Sequence, residues 1–347
     1  MKQTLLVFLT LCCCFSCKEP QTVKSLGTAS IESFTIDSIS IRAIYPVSTQ
    51  EVYFAGSNGA FGHTNDSGKT WTTKSIVYQD SIVPNFRSIA SNGKDFFALS
   101  IGSPALLYKI VNGNATVVYT ETHPAAFYDS MQFFDNLHGI AMGDPTDGCL
   151  SVIRTADGGN TWKKIPCSKL PKAAKGEAAF AASNTNIAIV NNTAWMVSGG
   201  AKSRVYISTN KGEDWEAYNT PIIQGKGSQG IYSVDFYDEK NGIVVGGDYA
   251  NPTENKQNKA ITTDGGRTWQ LVADGINPSY KSCVQYIPGS QDKGIIAVGK
   301  TGVSLSKDGG KHWQEISKEP FYSIQFVDTH TAWLSGHQRM GKLTFSN

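Results

Sequence analysis

The sequence is short of charge, of cysteine and of long apolar runs. Only 17% of its 347 residues are charged, and 31 Lys and Arg nearly balance 29 Asp and Glu. Because the two signs of charge balance so closely, the sequence predicts no basic surface for nucleic acid and no polybasic patch for a membrane. Beyond the first 16 residues, no apolar stretch approaches the roughly 20 residues of a transmembrane helix. A nucleic-acid partner and a membrane-spanning domain are therefore not expected.

Cysteine is scarce after the N-terminal segment, where Cys149, Cys167 and Cys283 remain. They form no Cys-x-x-Cys pair, and the six histidines are scattered, so no metal and no cofactor is predicted. Cys149 and Cys167 flank a predicted hairpin symmetrically, which permits a disulfide in an oxidising compartment. Two unpaired buried cysteines satisfy the same spacing. Cys283 is expected to be a small core residue.

Residues 1–16 have the composition of an export signal, with Lys2 followed by an apolar run from Leu5 to Phe15. The Ser16-Cys17 pair that ends it resembles the lipobox of bacterial lipoproteins, which implies that Cys17 carries a lipid. Plain secretion is the alternative. Residues 17–28 are then a tether and residues 29–347 the folded domain. The expected location is the bacterial cell envelope, lipid-anchored in the periplasm or on the outer-membrane surface.

Glycine and aromatic residues are abundant, with 34 Gly and an aromatic content of 11%, which favours a turn-rich, all-β protein. The pattern Ser/Thr-x-Asp-x-Gly-x-Thr-Trp recurs. Its Asp can cap the backbone of a turn, its Gly supplies a positive φ, and its Trp offers an apolar plate. Five copies lie at 64–71, 155–162, 208–215, 262–269 and 306–313, and a degenerate sixth lies at 109–116.

A second repeated motif precedes these copies: an alternating apolar strand, a turn, and a strand that ends in Gly. It is clearest at 127–144, 231–248 and 321–336. Together the two motifs predict seven units of roughly 45 residues with four strands each, which is typical of a β-propeller. The predicted fold is an all-β, seven-bladed β-propeller, closed by pairing of an N-terminal strand, 31–36, with the last blade.

The repeats resemble those of the Asp-box, or bacterial neuraminidase repeat (BNR), propellers. More closely, the chain resembles the seven-bladed family of the photosystem II stability/assembly factor and its relatives in non-photosynthetic bacteria. The stretches GIVVGGDY, TTDGGRTW, FYDSMQF and GEAAFAAS carry the resemblance. It implies the fold and a scaffolding role. Relatives are often labelled oxidoreductases, but no dinucleotide fingerprint and no haem or flavin attachment signature supports that label here.

The innermost strands of a propeller line its central channel, and the residue before the small residue of each predicted innermost strand is polar. Loops after the second strands add further polar side chains at the same mouth, and the loop at 248–259 is long. We therefore predict a ligand-binding mouth. The ring residues are Arg42, Arg87, Asp129, Glu177, Tyr232, Lys281 and Tyr322, and the loop residues are Asp144, Asp248, Tyr249, Lys300 and His337.

These residues predict a non-catalytic monomer that binds an envelope protein or an extracellular ligand such as a glycan. Two alternatives use the same ring. It is a solvated channel lining, or it is a sialidase-like site with an Arg cluster, a Glu-activated Tyr nucleophile and an Asp acid. Sialidases carry an Arg-Ile-Pro motif, whereas this chain has Arg42-Ala43-Ile44.

Overall fold

The structure is a computed structural model that describes residues 27–346, so the predicted signal segment, Cys17 and most of the tether lie outside the described residues. The described chain is almost entirely β, with one 3-10 helix at Cys167–Lys169. No helix in this range is long and apolar enough to cross a membrane.

The first half of the described chain holds fourteen strands: β1 (Ala29–Pro46), β2 (Val52–Gly56), β3 (Ala60–Thr64), β4 (Thr72–Ser75), β5 (Asn85–Ser91), β6 (Phe96–Ile101), β7 (Ala105–Val111), β8 (Asn114–Glu121), β9 (Tyr128–Phe133), β10 (Gly139–Thr146), β11 (Cys149–Thr155), β12 (Lys163–Lys164), β13 (Glu177–Ala178) and β14 (Ile187–Val190). The second half holds fourteen more: β15 (Thr193–Val197), β16 (Gly199–Gly200), β17 (Arg204–Ser208), β18 (Glu216–Asn219), β19 (Gln229–Phe236), β20 (Gly242–Asp248), β21 (Lys259–Thr262), β22 (Gln270–Leu271), β23 (Cys283–Tyr286), β24 (Ile295–Gly299), β25 (Gly302–Ser306), β26 (Gln314–Ser317), β27 (Ser323–Phe326) and β28 (Thr331–Phe345).

These strands form six sheets of antiparallel strands. The innermost strands contact one another in chain order, and β27 contacts β1, which gives the radial arrangement of a β-propeller. The fold is therefore an all-β propeller. The strand orders are β27-β28-β1-β2-β3-β4, β5-β6-β7-β8, β12-β11-β10-β9, β14-β15-β17-β18, β13-β16-β19-β20-β21-β22 and β23-β24-β25-β26.

The predicted count of seven blades is wrong, because the structure has six sheets. The physical reason lies in β1, which is one continuous strand. Its first part pairs with β28 from Ala29↔Phe345 to Thr35↔Arg339, and after an irregularity its second part pairs with β2 from Ile41. The first and last sequence units therefore share one six-stranded sheet instead of forming two separate ones.

The core lies between neighbouring sheets and consists mainly of Val, Ile, Leu, Ala and aromatic side chains. Trp195 of β15, for example, stacks on Phe236 of β19 with ring centroids 3.6 Å apart. Each such fully buried apolar side chain contributes roughly 1.5–3 kcal/mol relative to an exposed one. Strands such as β20, β24 and β25 are buried at every position because a neighbouring sheet covers each of their faces, whereas β3 alternates between buried and half-buried residues.

The five repeated turn segments at 64–71, 155–162, 208–215, 262–269 and 306–313, named the Asp turns here, share one hydrogen-bond pattern. In the first, Asp66 Oδ1 accepts from Thr64 Oγ1 at 2.8 Å and from the Thr70 amide at 2.9 Å, while Gly68 N donates to Thr64 Oγ1. Trp71 Nε1 then donates to the Gly68 carbonyl at 3.0 Å, a bond that the other Asp turns repeat except at Trp162, whose buried Nε1 has no partner. The conserved spacing within the chain is thus explained by local turn geometry.

Cys149 and Cys167 form a disulfide with a Cα–Cα distance of 5.5 Å. It joins β11 to the 3-10 helix that follows β12. Cys283 is a free, buried thiol. Of the two arrangements that the sequence left open, the structure has the disulfide.

Residues 179–186, the crossing segment, run through the centre of the ring between β13 and β14. Ser183 Oγ donates to the Ser282 carbonyl at 2.7 Å, and Asn184 Nδ2 donates to the Ile89 carbonyl at 2.8 Å. Three serines of innermost strands also bond to the segment. Ser130 of β9 and Ser323 of β27 donate to its backbone carbonyls, and the Ser233 hydroxyl of β19 bonds to a threonine hydroxyl of the segment. A segment bonded to the innermost strands of several sheets crosses the centre and blocks it at this level. A cavity of about 220 Å³ remains between Asn184 and innermost-strand residues such as Gln285 and Gln325.

Candidate functional site

A cup of about 480 Å³ opens on one side of the crossing segment, which supplies part of its wall. Its charged side chains are all cationic, and four of its members are tyrosines. It brings together six of the predicted mouth residues, namely Arg42, Arg87, Tyr232, Tyr249, Lys300 and Tyr322. The other lining residues are Phe127, Ala179, Phe180, Ala181, Ala182, Tyr280 and Ser282.

The two arginines are held by backbone carbonyls of the crossing segment. Arg42 Nη1 donates to Ala182 O at 3.1 Å, and Arg87 Nη1 donates to Ala181 O at 3.0 Å. The Arg42 guanidinium also lies 3.8 Å from the centre of the Tyr322 ring, while its buried Nε has no hydrogen-bond partner. Within residues 27–346 neither arginine forms an ion pair. Their charge is therefore oriented but not neutralised by a contacting carboxylate.

Burial and mutual repulsion both act on these cations. Burial, and then repulsion from the neighbouring Arg42, together lower the pKa of Arg87 to about 10, although the attraction of Asp129 opposes them. Burial likewise lowers the pKa of Arg42. Both groups still carry their charge at neutral pH. An anion that enters the cup would relieve the repulsion and replace water that burial has removed.

Aromatic rings form the rest of the cup. Phe180 stacks on Tyr232 with ring centroids 4.0 Å apart, and Tyr280 meets Tyr232 edge-on at 4.9 Å. Burial raises the pKa of Tyr232 and of Tyr280, so both phenols are neutral. Tyr249 is 48% exposed at the rim, where Lys300 Nζ donates to its carbonyl at 2.6 Å. The cup therefore combines positive charge with ring faces.

Two predicted carboxylates, Asp129 and Asp144, lie beside the cup without lining it. Asp129 is fully buried, and neither carboxyl oxygen has a hydrogen-bond partner. Burial and then the nearby Asp144 raise the pKa of Asp129 well above its ordinary value. Asp144 Oδ1 accepts from the Ala179 amide at 2.7 Å, and burial raises its pKa as well. The surroundings of Asp129 thus favour its neutral form, which weakens its compensation of the Arg87 charge.

Glu177 is not part of the cup. It lies on β13 and accepts hydrogen bonds from Ser198 Oγ at 2.6 Å, Tyr206 OH at 2.8 Å and Arg204 Nε at 3.0 Å. The innermost strand of this unit is β14, ten residues later than the sequence alignment placed it. The small residues around Ala178 matched the repeated pattern of an innermost strand. The true innermost strand, β14, begins only after the crossing segment.

Lys281 also points away from the cup. Its buried ammonium donates to Thr301 Oγ1 at 2.9 Å and to the Gly302 carbonyl at 3.0 Å, and burial lowers its pKa to about 8. The strand β23 begins at Cys283, so Ser282 rather than Lys281 occupies the position of Tyr322. An error of one residue in register moves a side chain to the other face of a strand.

Asp248 and His337 lie outside the cup too. Asp248 accepts from the Ala250 amide at 2.9 Å and from Gln229 Nε2 at 3.2 Å, so it orders the start of the long loop. Burial opposes its ionisation, yet hydrogen bonds from Ser228 and the Ala250 amide outweigh burial and lower its pKa. His337 is exposed and faces Ser40 in the pairing of β28 with β1.

Two important cup residues, Phe180 and Tyr280, were missed by the sequence analysis. Phe180 lies in an Ala-rich stretch that matched a strand, and Tyr280 lies two residues before the true equivalent of Tyr322. Aligning the stretch VQY at 284–286 with IQF at 324–326 would have placed Ser282 correctly. Nothing in the repeat pattern points to Phe180, because the crossing segment has no counterpart in the other units.

The comparisons with known proteins agree on the fold. A family model described as sortilin, neurotensin receptor 3 matches residues 150–301. The structure of YCF48 bound to D1 peptide is similar with a TM-score of 0.66 at 14% identity, covering 93% of this chain and 100% of that chain. YCF48 from Cyanidioschyzon merolae is similar with a TM-score of 0.62 at 13% identity, and the match covers 91% of this chain and 98% of that chain. No curated protein matches the sequence.

A catalytically inactive virginiamycin B lyase from Staphylococcus aureus with quinupristin is similar as well, with a TM-score of 0.67 at 12% identity, covering 91% of this chain and 99% of that chain. Likenesses at such low identity establish the fold alone. The chain is a β-propeller with a cationic, aromatic cup beside the segment that crosses its centre.

Proposed function

We propose that this protein is a non-catalytic envelope lipoprotein whose propeller binds an anionic segment of another envelope protein in the cup. The single observation that carries the proposal is the pair Arg42 and Arg87, which are oriented by backbone carbonyls, partly buried and without a contacting carboxylate. A carboxylate is the ligand group that a guanidinium binds best, through charge-assisted and often bidentate hydrogen bonds.

The ring faces extend this preference from a simple anion to a peptide. Tyr232, Tyr249, Tyr280 and Phe180 provide apolar and aromatic surface next to the cations. Tyrosine and arginine are the residues most enriched where a few side chains dominate binding to a protein. A protein of the same fold has been solved with a peptide bound, which supports peptide recognition by a propeller of this size.

The geometry does not favour the sialidase-like alternative. That chemistry needs a Glu that activates a Tyr nucleophile within reach of substrate. Among the predicted mouth residues, the carboxylate that accepts from a tyrosine is Glu177, and its partner Tyr206 is fully buried. The other Glu–Tyr hydrogen bonds of the described residues, at Tyr53, Tyr119 and Tyr218, also lie outside the cup. The tyrosines of the cup have no carboxylate contact of this kind within residues 27–346.

The envelope location rests on the export signal and on Cys17. The disulfide between Cys149 and Cys167 is consistent with it, because such bonds persist in oxidising compartments. A Cys17→Ser variant should move the protein from the membrane fraction to the soluble fraction of the cell envelope, and retention in the membrane would contradict lipid attachment at Cys17.

Peptide binding can be tested by fluorescence anisotropy with labelled pentapeptides that carry zero, one or two Asp residues. Each guanidinium–carboxylate contact contributes about 1.5–3 kcal/mol, so Arg42→Gln or Arg87→Gln should weaken binding of the acidic peptides roughly tenfold to a hundredfold. The matched control is Arg267→Gln, an exposed arginine in an Asp turn outside the cup.

The proposal fails if acidic peptides bind no better than the neutral one, or if Arg267→Gln weakens binding as much as the cup variants do. Binding of sialylated glycans with the same arginine dependence, and without peptide binding, would replace the peptide by a carbohydrate as the ligand. Melting temperatures of all variants should stay close to that of the wild type, which separates lost binding from lost folding.

A further inference from the structure

A second cavity, of about 480 Å³, lies far from the crossing segment, between the sheet that contains β2 to β4 and the sheet β5-β6-β7-β8. We name it the inter-sheet cavity. Four aromatic rings line it, those of Tyr53, Phe61, His63 and Phe96, and each of the four residues is only partly buried. The Tyr53 and Phe96 ring centroids are 4.0 Å apart. The proposed function leaves this cavity unexplained.

The same place between other sheets is filled by a tryptophan of the chain itself. Trp162 of an Asp turn lies between Phe97 of β6 and Phe133 of β9, with ring centroids 6.2 and 5.7 Å away. The tryptophans of three further Asp turns, Trp215, Trp269 and Trp313, pack with buried residues of the preceding sheet in the same way.

The second unit cannot supply such a tryptophan. Its degenerate copy at 109–116 folds as a tight hairpin in which only Asn112 and Gly113, both with positive φ, separate β7 from β8. An Asp turn has eight residues, so its Trp has no place in this shorter connection. Asn112 and Gly113 line the cavity where the longer turn would have filled it.

The ring that would receive the missing tryptophan is present. Tyr53 of β2 pairs with Tyr45 of β1, and Phe97 of β6 pairs with Ala90 of β5. Tyr53 therefore has the position in its own sheet that Phe97 has in the next sheet. Phe97 is the ring that Trp162 contacts. The chain therefore retains an aromatic receiving surface at this interface while lacking its own indole.

Charge around the cavity has one sign. Lys74 and Lys94 line it, and no Asp or Glu is among its lining residues. Both lysines are exposed, so their ammonium groups stand at the opening rather than in the aromatic interior. A ligand that places a ring inside therefore meets positive charge at its outer end.

We propose that the inter-sheet cavity binds a planar aromatic ring of indole size that carries a carboxylate, with the ring against Tyr53, Phe61 and Phe96 and the carboxylate near Lys74 and Lys94. The ring and anion belong either to a free aromatic acid or to a Trp-Glu segment of a peptide.

Titration calorimetry on the mature protein tests the proposal with indole-3-acetate, N-acetyltryptophanamide and a blocked Gly-Trp-Glu-Gly peptide. Wild type should bind indole-3-acetate saturably at one site. Ala115→Trp places an indole at the cavity wall and should reduce affinity at least tenfold. Thr120→Trp is the control, because Thr120 is an exposed residue of the same strand β8 that does not line the cavity.

A Lys74→Ser, Lys94→Ser double variant should weaken binding of indole-3-acetate several-fold and leave the neutral amide unchanged. Tighter binding of the peptide than of the free acid identifies a protein partner, and the reverse identifies a small metabolite; either supports the site. Absence of saturable binding in wild type, or equal affinity of Ala115→Trp and wild type when circular dichroism shows both folded, would falsify it.

Discussion

Asp129 shows at the scale of one residue how the propeller treats charge near its axis. Its carboxyl group is fully buried without a hydrogen-bond partner, with Asp144 on one side and the Arg87 guanidinium on the other. Burial and the neighbouring carboxylate favour the neutral acid, and the arginine opposes them less strongly. The native protein therefore keeps a proton that the unfolded chain loses above about pH 4.

We predict that this proton makes stability depend on pH. Because the native pKa of Asp129 is raised, the free energy of unfolding should fall as pH rises above about 4, by up to about 1.4 kcal/mol per pH unit. In Asp129→Asn this contribution is absent. Urea unfolding of wild type and Asp129→Asn between pH 4 and 8 measures this contribution to the free energy of unfolding. If the free energy of unfolding changes with pH in the same way for both proteins, Asp129 is ionised in the native state.

The crossing segment is the element on which the cup depends. Its carbonyls at Ala181 and Ala182 orient the two arginines, and Phe180 supplies a ring face. The segment is itself held by Asn184, whose amide nitrogen donates to the Ile89 carbonyl and whose amide oxygen accepts from the Met131 amide at 3.1 Å. Anchoring of this one side chain thus fixes the position of the binding surface.

An Asn184→Ala variant should lose about 2–4 kcal/mol of stability, because it leaves two buried backbone groups without partners. Asn184 also has a φ of 62°, which Ala adopts less readily. Asn191→Ala is the matched control, since Asn191 has a φ of 55° but is exposed. Equal losses in the two variants, measured by chemical denaturation, would mean that backbone conformation alone matters.

Sequence analysis predicted the propeller because its signals are local. Alternating strands, the Asp turns and the glycines that end strands each depend on a few neighbouring residues, and the structure contains all three. The degenerate copy at 109–116 also occupies the expected place between two strands. What the repeats determine is therefore the construction of each sheet.

The centre of the molecule was not predictable in the same way. Arg42, Arg87, Tyr232 and Tyr322 reached the cup because their strands follow the repeat, whereas the crossing segment is an insertion without a counterpart. Because of this insertion, the repeat alignment placed Glu177 on an innermost strand to which it does not belong. A separate error of one residue in the alignment placed Lys281 at the position that Ser282 occupies. Which parts of a strand merge into a larger sheet, as in β1, depends on long-range pairing that a local pattern does not contain.

At the scale of the whole molecule, closure depends on the pairing of β1 with β28. Leu343 of β28 is fully buried in a cluster with Phe321 and Ile324 and joins the last strands of the chain to the ring. The partners from Ala29↔Phe345 to Thr35↔Arg339 are more than 300 residues apart in the sequence, so the pairing must form late or at high entropic cost.

We expect Leu343→Ala to lower the free energy of unfolding by about 2–5 kcal/mol, the usual cost of removing a buried leucine. Glu32→Ala, an exposed change on the facing strand, should stay within about 0.5 kcal/mol of wild type. Thermal unfolding with light scattering gives both values and shows whether loosened strand edges associate. A loss below about 1 kcal/mol for Leu343→Ala would mean that closure contributes little to stability.

The pairing of β1 with β28 has a mechanical consequence. Its hydrogen bonds run perpendicular to the strands, and the chain enters the ring at Ala29, directly beside Phe345. A pulling force directed along β1 at Ala29 loads the paired residues from Ala29 to Thr35 together, in shear. Strands loaded in shear must break many bonds at once, whereas strands peeled apart break them singly. The pairing of β1 with β28 therefore resists tension that is applied along β1 at its N-terminal end.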